Sequence, residues 1–577
     1  MTVPSPTGDA APPGDESPGH REGGREPLWL RMLRRPCLLG SVLAVWFYAQ
    51  SLAPSLLVRS WLYQGVLAGV SIALGYAIGL GLTRFAVYLR KRFAPGLRGF
   101  SPQTDKRVRL VLGAAVVAYA VIASAIAVPE HRWTWDRLGY ERASFWYVFF
   151  GTVLLAAAVA LVLFMIGSLL KFIWKRTTRV GALVVPAWIA GGLALILVGW
   201  AVLASLNNFV LQRTLDNANA AFSGRDLNLD KAPDPPTSSV RSGGPESEIE
   251  WAEAGHEGRR FLTRGATTED LAEFATGEVT EPVRVYVGRA SADTIDERVD
   301  LAMAELERFG AFEREALLVI VPTGTGWINE QIVQPVEYFH DGDVATVAVQ
   351  YSHLPSPLAF LSEAEAAGDS ATALFEAIEQ RAAEEGSDAP TLYIGGESLG
   401  SFGGSKVFDS LADSKERVDG AVWVGPPETM HLRREAEKIR KSGSLQIRPV
   451  VGEGEDFVFV NRPGDFTAVM QGDRAHSVFL QQADDPIVWW DWDSALHEPD
   501  WLEEPLDPAV NPYIEWTPVT TFLQLALDMG VSNNFDENHG HKYGTQPLSA
   551  WYAILRPVGW DLEQLEELRE KLAPLAR

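Results

Sequence analysis

The sequence predicts an α-helical transmembrane bundle of about five spans, followed by an α/β domain with a mostly parallel sheet and helices on both faces. Three observations carry this reading. First, five apolar runs follow one another at about 38–57, 62–83, 108–128, 145–170 and 180–206, none with an acid or base in its middle. Each approaches or exceeds the ~20 residues that span a bilayer core. Second, beyond residue 280 short continuous apolar runs alternate with helical patterns, as expected for strands buried on both faces. Third, the charge is unevenly divided. Of the net −24 over 577 residues, residues 1–210 carry 21 Lys+Arg against 9 Asp+Glu, whereas residues 211–577 carry 29 against 65. A basic, apolar first part suits a membrane with anionic lipid, and an acidic second part argues against nucleic-acid binding.

Residues 1–29 are rich in Pro, Gly and charge without periodicity, and read as a disordered tail. Residues 30–206 form the transmembrane helical domain. Trp61, Trp133, Trp135, Trp146 and Trp174 lie near the ends of the runs, where an interfacial belt would place them. Short basic segments set the orientation. Arg31, Arg34 and Arg35 precede the first run, Arg84 to Arg109 fill the second loop, and Lys171, Lys175, Arg176 and Arg179 precede the fifth run. These belong on the cytoplasmic side, so five spans would put everything after about Leu206 outside it. With no acid or base in the middle of the runs, the bundle reads as an anchor and not as a transporter. Residues 207–280, including the Pro/Ser/Gly stretch 233–248, read as linker and lead-in. The lone cysteine, Cys37, excludes a disulfide and a thiol nucleophile in the second part.

In residues 281–577, strands are expected at 283–288, 317–322, 344–350, 391–396, 420–425 and 477–482, with helices at about 293–309, 328–339, 370–386 and 401–413. The stretch TLYIGGESLGSFGG (391–404) runs from a strand through G-x-S-x-G into a helix start. That is the setting of a nucleophile elbow, which would raise Ser398 at the carboxyl end of the strand with the Leu399 N–H beside it as an oxyanion donor. A second glycine-rich loop, Pro322 to Trp327, follows the 317–322 strand. Its N–H groups at Gly324, Thr325, Gly326 or Trp327 could complete an oxyanion hole, with Thr325 and Gly326 the leading choices. No Lys follows in the G-K-[ST] form of a phosphate-cradling loop. An acid belongs after a late strand, where Asp484-Asp485-Pro486 stands. Asp485 is preferred because the proline after it fixes the turn, and Asp484 is the alternative. Among the histidines of this part only His539 and His541 are clustered, and both follow the acid. His539, with a glycine after it, is preferred, and His541 is the alternative. The order Ser…Asp…His is that of α/β-hydrolases. A His-x-His metal site is the weaker reading, since no third ligand is evident. Nothing in the sequence calls for a cofactor.

With these parts assembled, the chain resembles the actinobacterial membrane-bound alpha/beta-hydrolase family, in which an N-terminal multi-span module joins a C-terminal catalytic domain. The resemblance rests on RSGGPES (241–247), ELERFG (305–310), PTGTGW (322–327), EYFHDGDVATVAVQYSHLPS (337–356), GESLGSFGG (396–404), DGAVWVGPP (419–427), DDPIVWW (484–490) and HGHKY (539–543). It implies the α/β-hydrolase fold, a serine nucleophile at Ser398, an acid at Asp485 and a histidine at His539 or His541. One departure is Asn538, where a glycine would be expected before the histidine.

The expected function is a membrane-tethered serine esterase or lipase acting on lipid or cell-envelope esters outside the cytoplasm. Its partners would be an acyl-ester substrate and membrane lipids, with no nucleic acid. An acyltransferase using the same acyl-enzyme is the alternative, and a non-catalytic membrane scaffold is the reading from another class. Trp327, Trp489, Trp490, Trp492 and Trp501 could line an apolar acyl pocket or simply pack the core.

Overall fold

A computed structural model describes residues 36–94, 101–140, 145–181 and 212–576. The expected tail and nearly all of the expected fifth span lie outside these residues. Four N-terminal helices are described: α1 (Leu38–Ser51), α2 (Trp61–Phe93), α3 (Pro102–Arg137) and α4 (Phe145–Gly181). Among the described residues three helices are long and apolar enough to cross a membrane: α2, α3 and the Phe149–Val180 part of α4. Of the five expected spans three are present among the described residues, and the fifth lies almost wholly outside them. The first apolar run is interrupted by Pro54, and its helix is only 14 residues long, short of the ~20 a bilayer core needs. Large apolar side chains on α3 and α4, among them Leu110, Val111, Leu154 and Phe172, are exposed, as they would be toward lipid tails.

Among the described residues the N-terminal helices meet the second part of the chain near loop 52–60 and the end of α3. Loop 52–60 between α1 and α2, and the last turns of α3, pack against residues 483–535. Asn511 Nδ2 donates to Glu130 O at 3.0 Å and Thr134 Oγ1 at 2.7 Å. Leu56, Leu57, Val58 and Leu138 join Trp489, Trp490, Trp501, Ile514 and Phe535 in one apolar cluster. The basic residues Arg90, Lys91 and Arg92 at the end of α2, and Arg179 at the end of α4, sit at the other ends of their helices.

The second part is built on a seven-stranded sheet: β1 (Val283–Val287), β2 (Ala316–Val321), β3 (Val344–Val349), β4 (Thr391–Glu397), β5 (Gly420–Val424), β6 (Phe457–Val460) and β7 (Ser477–Leu480). Their order is β1-β3-β2-β4-β5-β7-β6, and every pairing is parallel. The side chains alternate between two cores. Val285, Val319, Val347 and Ile394 face one; Tyr286, Leu318, Ala348 and Tyr393 face the other. That two-sided burial is why the strands read as unbroken apolar runs. The helix Ile295–Arg308 begins with a Thr294–Glu297 capping box, which closes two otherwise unpaired backbone donors.

The stretch expected as linker and lead-in carries helices at Gln212–Asp226, Gly255–Thr263 and Thr268–Ala272. It is fastened to the sheet at several points. Backbone bonds pair 240–242 with Arg284 at 3.0–3.1 Å, and Asp226 Oδ2 accepts from His353 Nδ1 at 2.9 Å. The Arg284 guanidinium on β1 is fully buried between Glu337 (2.7 Å) and Glu330 (3.0 Å). Two carboxylates offset the desolvation of that one charge.

Candidate active site

β4 delivers the elbow. Ser398 has φ 54° and ψ −116°, a region that costs about 1–3 kcal/mol for a residue with a β-carbon. The surrounding backbone holds it there. Ser398 N donates to Val424 O at 2.8 Å, and the Ser401 hydroxyl lies 2.7 Å from Gly396 O and 3.0 Å from Val424 O. Glycine is required on both sides. A β-carbon on Gly396 would lie 2.5 Å from Gly400 C, and one on Gly400 would lie 2.2 Å from Val321 O. Leu399 opens the helix Leu399–Ser405, so its N–H has no carbonyl within the helix to bond.

The glycine-rich loop lies at the end of β2, beside β4. Its hydrogen bonds narrow the choice of donor. Gly326 N donates to Thr323 O at 2.8 Å and Thr323 N to Trp327 O at 3.0 Å. Gly324 N faces Ser356 Oγ at 3.4 Å, while Gly326 O accepts from the Tyr286 hydroxyl at 2.9 Å. The Gly326 N–H is therefore engaged in closing the turn. Thr325 N has no acceptor among the described residues, which leaves it the better-disposed of the two leading choices.

The two aspartates separate the two histidines. His541 Nδ1–H donates to Asp485 Oδ2 at 2.6 Å, and the Tyr543 hydroxyl donates to the same oxygen at 2.8 Å. Asp485 Oδ1 accepts from Ile487 N at 2.9 Å, capping the short helix Pro486–Trp489. His539 Nδ1 instead meets Asp484 Oδ2 at 3.1 Å, and Asp484 Oδ1 accepts from Gly540 N at 3.1 Å. The two histidines thus have different partners and do not form a common pair. His541 is 4 % exposed, and among the described residues its Nε2 has no hydrogen-bond partner. The ring lies over Gly425, where a β-carbon would be 2.3 Å from His541 Cε1. Gly425 directly follows Val424, whose carbonyl holds Ser398 N. The histidine is therefore stacked on the strand end that supports the elbow. Asn538, the departure from the expected glycine, has φ 66°. Asparagine is among the few side chains that tolerate this conformation, and Asn538 Oδ1 accepts from Gln546 Nε2 at 2.9 Å.

Burial would lower the pKa of His541, but the charge and hydrogen bond of Asp485, with Glu397 behind them, outweigh it and hold the imidazole above its usual value. Glu397 is the motif residue before the serine. Burial pushes its carboxyl up, against the pull of His541 and of Asn329, whose Nδ2 donates to it at 2.6 Å. Burial likewise raises Asp484, with His539 opposing.

Four residues here were missed by pattern reading: Glu397, Asn329, Gly425 and Tyr543. Tyr543 alone had a usable signal, since it stands two residues after His541 on the same short run. Trp489, Trp490 and Trp501 belong to the cluster against loop 52–60, while Trp492 is 65 % exposed. A cavity of about 560 Å³ at the carboxyl ends of β1 and β3 is polar, with Arg289, Arg298, Tyr351 and His353 in its wall.

A parallel sheet with a strand–serine–helix elbow, and with an aspartate–histidine pair on the loops beyond later strands, defines an α/β-hydrolase architecture. Residues 283–568 match an alpha/beta-hydrolase family, and residues 52–265 match the N-terminus of an alpha/beta-hydrolase family. Both stretches are thus similar to an alpha/beta-hydrolase family, and a hydrolase-type function is what this suggests. No curated protein and no solved structure matches it.

Proposed function

We propose that the protein is a membrane-anchored serine hydrolase that cleaves carboxylic esters, with lipid or cell-envelope esters as the substrate class. The observation that carries this reading is the His541–Asp485 pair, with Nδ1 held by a buried carboxylate, Nε2 left without a partner among the described residues, and the ring lying over the strand end that supports Ser398. In this reading Nε2 takes the Ser398 proton as the hydroxyl attacks the ester carbonyl. Asp485 fixes the tautomer and stabilises the imidazolium that forms. The Leu399 and Thr325 N–H groups hold the oxyanion, each contributing about 10²–10³ in rate. His541 then returns the proton to the leaving alkoxide, and water, activated by the same nitrogen, releases the acid and restores Ser398. His539 and Asp484 shape the loop that carries His541.

The catalytic domain is assigned to the outer face of the cell membrane. Support comes from its contacts with loop 52–60 and the end of α3, opposite the basic helix ends expected to stay in the cytoplasm. Purified full-length protein in detergent, given a series of acyl esters of rising chain length, should release acid in the wild type and not in Ser398→Ala. Absence of turnover across the series, or equal turnover in both proteins, would sink the assignment. Protease protection of residues 212–576 in spheroplasts would sink the location.

A further inference from the structure

We infer that loop 52–60 of the N-terminal module is a positioning element for the catalytic histidine, so that the module completes the active site as well as anchoring it. This rests on the proposed role of His541 and extends it to residues nearly five hundred positions earlier in the chain.

The connection can be followed bond by bond. The helix Thr520–Met529 carries Asp528, whose carboxylate is fully buried. Three groups from the loop converge on it. The Ser55 hydroxyl and the Leu57 N–H donate to Oδ2, and the Arg59 guanidinium, 2 % exposed, lies 3.7 Å from Oδ1. Arg59 is tied back into its own loop by donating to Ala53 O at 3.2 Å. Gln524, one turn earlier on the helix, donates to the same Ala53 carbonyl at 3.0 Å. On the other side of Asp528 the chain turns directly into the histidine loop. Val531 N donates to Asp528 O at 3.0 Å, and His541 N donates to Ser532 O at 2.9 Å. Leu57 also approaches the histidine loop itself, its Cδ1 lying 3.5 Å from where a β-carbon on Gly540 would stand. The acid is reached as well. Leu56, Leu57 and Val58 pack in the same cluster as Val488 and Trp489, in the helix that Asp485 caps.

A buried ion pair of this kind adds little net stability compared with apolar packing, but it admits few alternative arrangements. Asp528 stays out of water only while the loop supplies its counter-charge and donors. Without them it must leave the interior, and residues 528–532 move with it, including the carbonyl that holds His541. Catalysis is sensitive to such shifts, since a displacement near 1 Å costs about 10²-fold.

The test uses full-length protein in detergent, with turnover of a short p-nitrophenyl ester and the rate of fluorophosphonate labelling as readouts. Arg59→Met should lower kcat by about 10–10²-fold with KM within about twofold, because the substrate contacts are untouched. It should also displace the acid limb of the kcat–pH profile, which reports the imidazole and which a loss of folded protein would not move. The double variant Arg59→Met, Asp528→Leu removes both charges, and should recover kcat to within about tenfold of the wild type. Should Arg59→Met fail to fold, Leu57→Ala removes only the apolar support and should show the same kcat-selective loss. Folded Arg59→Met and Leu57→Ala with wild-type kcat and pH profile would overturn the inference, as would activity that falls only in step with the folded fraction. A wild type that neither turns over ester nor labels would instead remove the proposed function, so the two failures are distinguishable.

Discussion

Replacing Asp485 by asparagine tests the pairing of the site most sharply, because the structure dictates how the substitution fails. The carboxylate uses both oxygens. Oδ1 accepts from Ile487 N, and Oδ2 accepts from His541 Nδ1 and the Tyr543 hydroxyl. An amide has one oxygen for these two tasks. If that oxygen keeps the helix cap, the NH₂ group faces His541 Nδ1, and the imidazole must carry its proton on Nε2, the nitrogen that should accept from Ser398. A forced wrong tautomer of this kind costs about 10⁴-fold in kcat, which is about 5.5 kcal/mol at 1.36 kcal/mol per factor of ten. The assay is ester turnover with fluorophosphonate labelling across pH. In the wild type, His541 is held above its usual value of 6.5 because Asp485 and Glu397 outweigh burial. The base must be neutral, so activity should fall as pH drops through a value above 6.5. Residual activity of Asp485→Asn should have its acid limb displaced downward, since the group that raised the imidazole is gone. Asp484→Asn, whose hydrogen bonds among the described residues go to His539 and Gly540, should cost less than about tenfold, the scale of one or two hydrogen bonds. The reverse pattern, with Asp485→Asn near wild type and Asp484→Asn inactive, would refute the reasoning and return the role to His539.

Three further substitutions probe other parts of the structure. Gly425→Ala places a β-carbon 2.3 Å from His541 Cε1 on a backbone with φ 53°, and should lower kcat by about 10²-fold by displacing the ring. A lowered melting temperature should accompany that loss, because alanine at positive φ and overpacking against a buried ring are both strained, and unchanged kcat would contradict the stacking. Tyr543→Phe deletes one of the bonds to Asp485 Oδ2 and should cost about 1 kcal/mol, seen as a several-fold loss in kcat; a loss as large as that of Asp485→Asn would make the tyrosine more than a support. Arg284→Met leaves Glu330 and Glu337 buried without their cation and should destabilise the fold by about 3–5 kcal/mol, read as a drop in thermal or denaturant midpoint. No drop would contradict this account of the buried cluster.

The parts of this chain most legible in sequence were those whose physics is local. A doubly buried parallel strand must be apolar along its whole length, so six of the seven strands stood out; β6, four residues at the sheet edge, was too short to register. The elbow was legible because steric crowding at Gly396 and Gly400 admits nothing larger. The pairing of the histidines with the aspartates was not, because proximity in sequence carries no orientation. His539 and His541 are two residues apart, yet each faces a different aspartate across the loop. The Gly326 N–H looked available as a donor, but the turn closes on it. Long-range partners left no local trace at all. Nothing near Asp528 announces that Ser55 and Arg59 will meet it, and nothing near Glu397 announces Asn329. The first apolar run shows the complementary limit. Composition counted it as a full span, whereas its helix stops at Ser51, shortly before Pro54, and the following loop reaches the α/β domain.

The most direct measurement is to react the full-length protein in membranes with a fluorophosphonate probe and map the adduct by peptide mass spectrometry. The expected result is a single phosphonylated residue, Ser398, formed in the wild type and absent from Ser398→Ala. A wild type that carries no adduct, or an adduct that persists in Ser398→Ala, would contradict the assignment of Ser398 as the nucleophile.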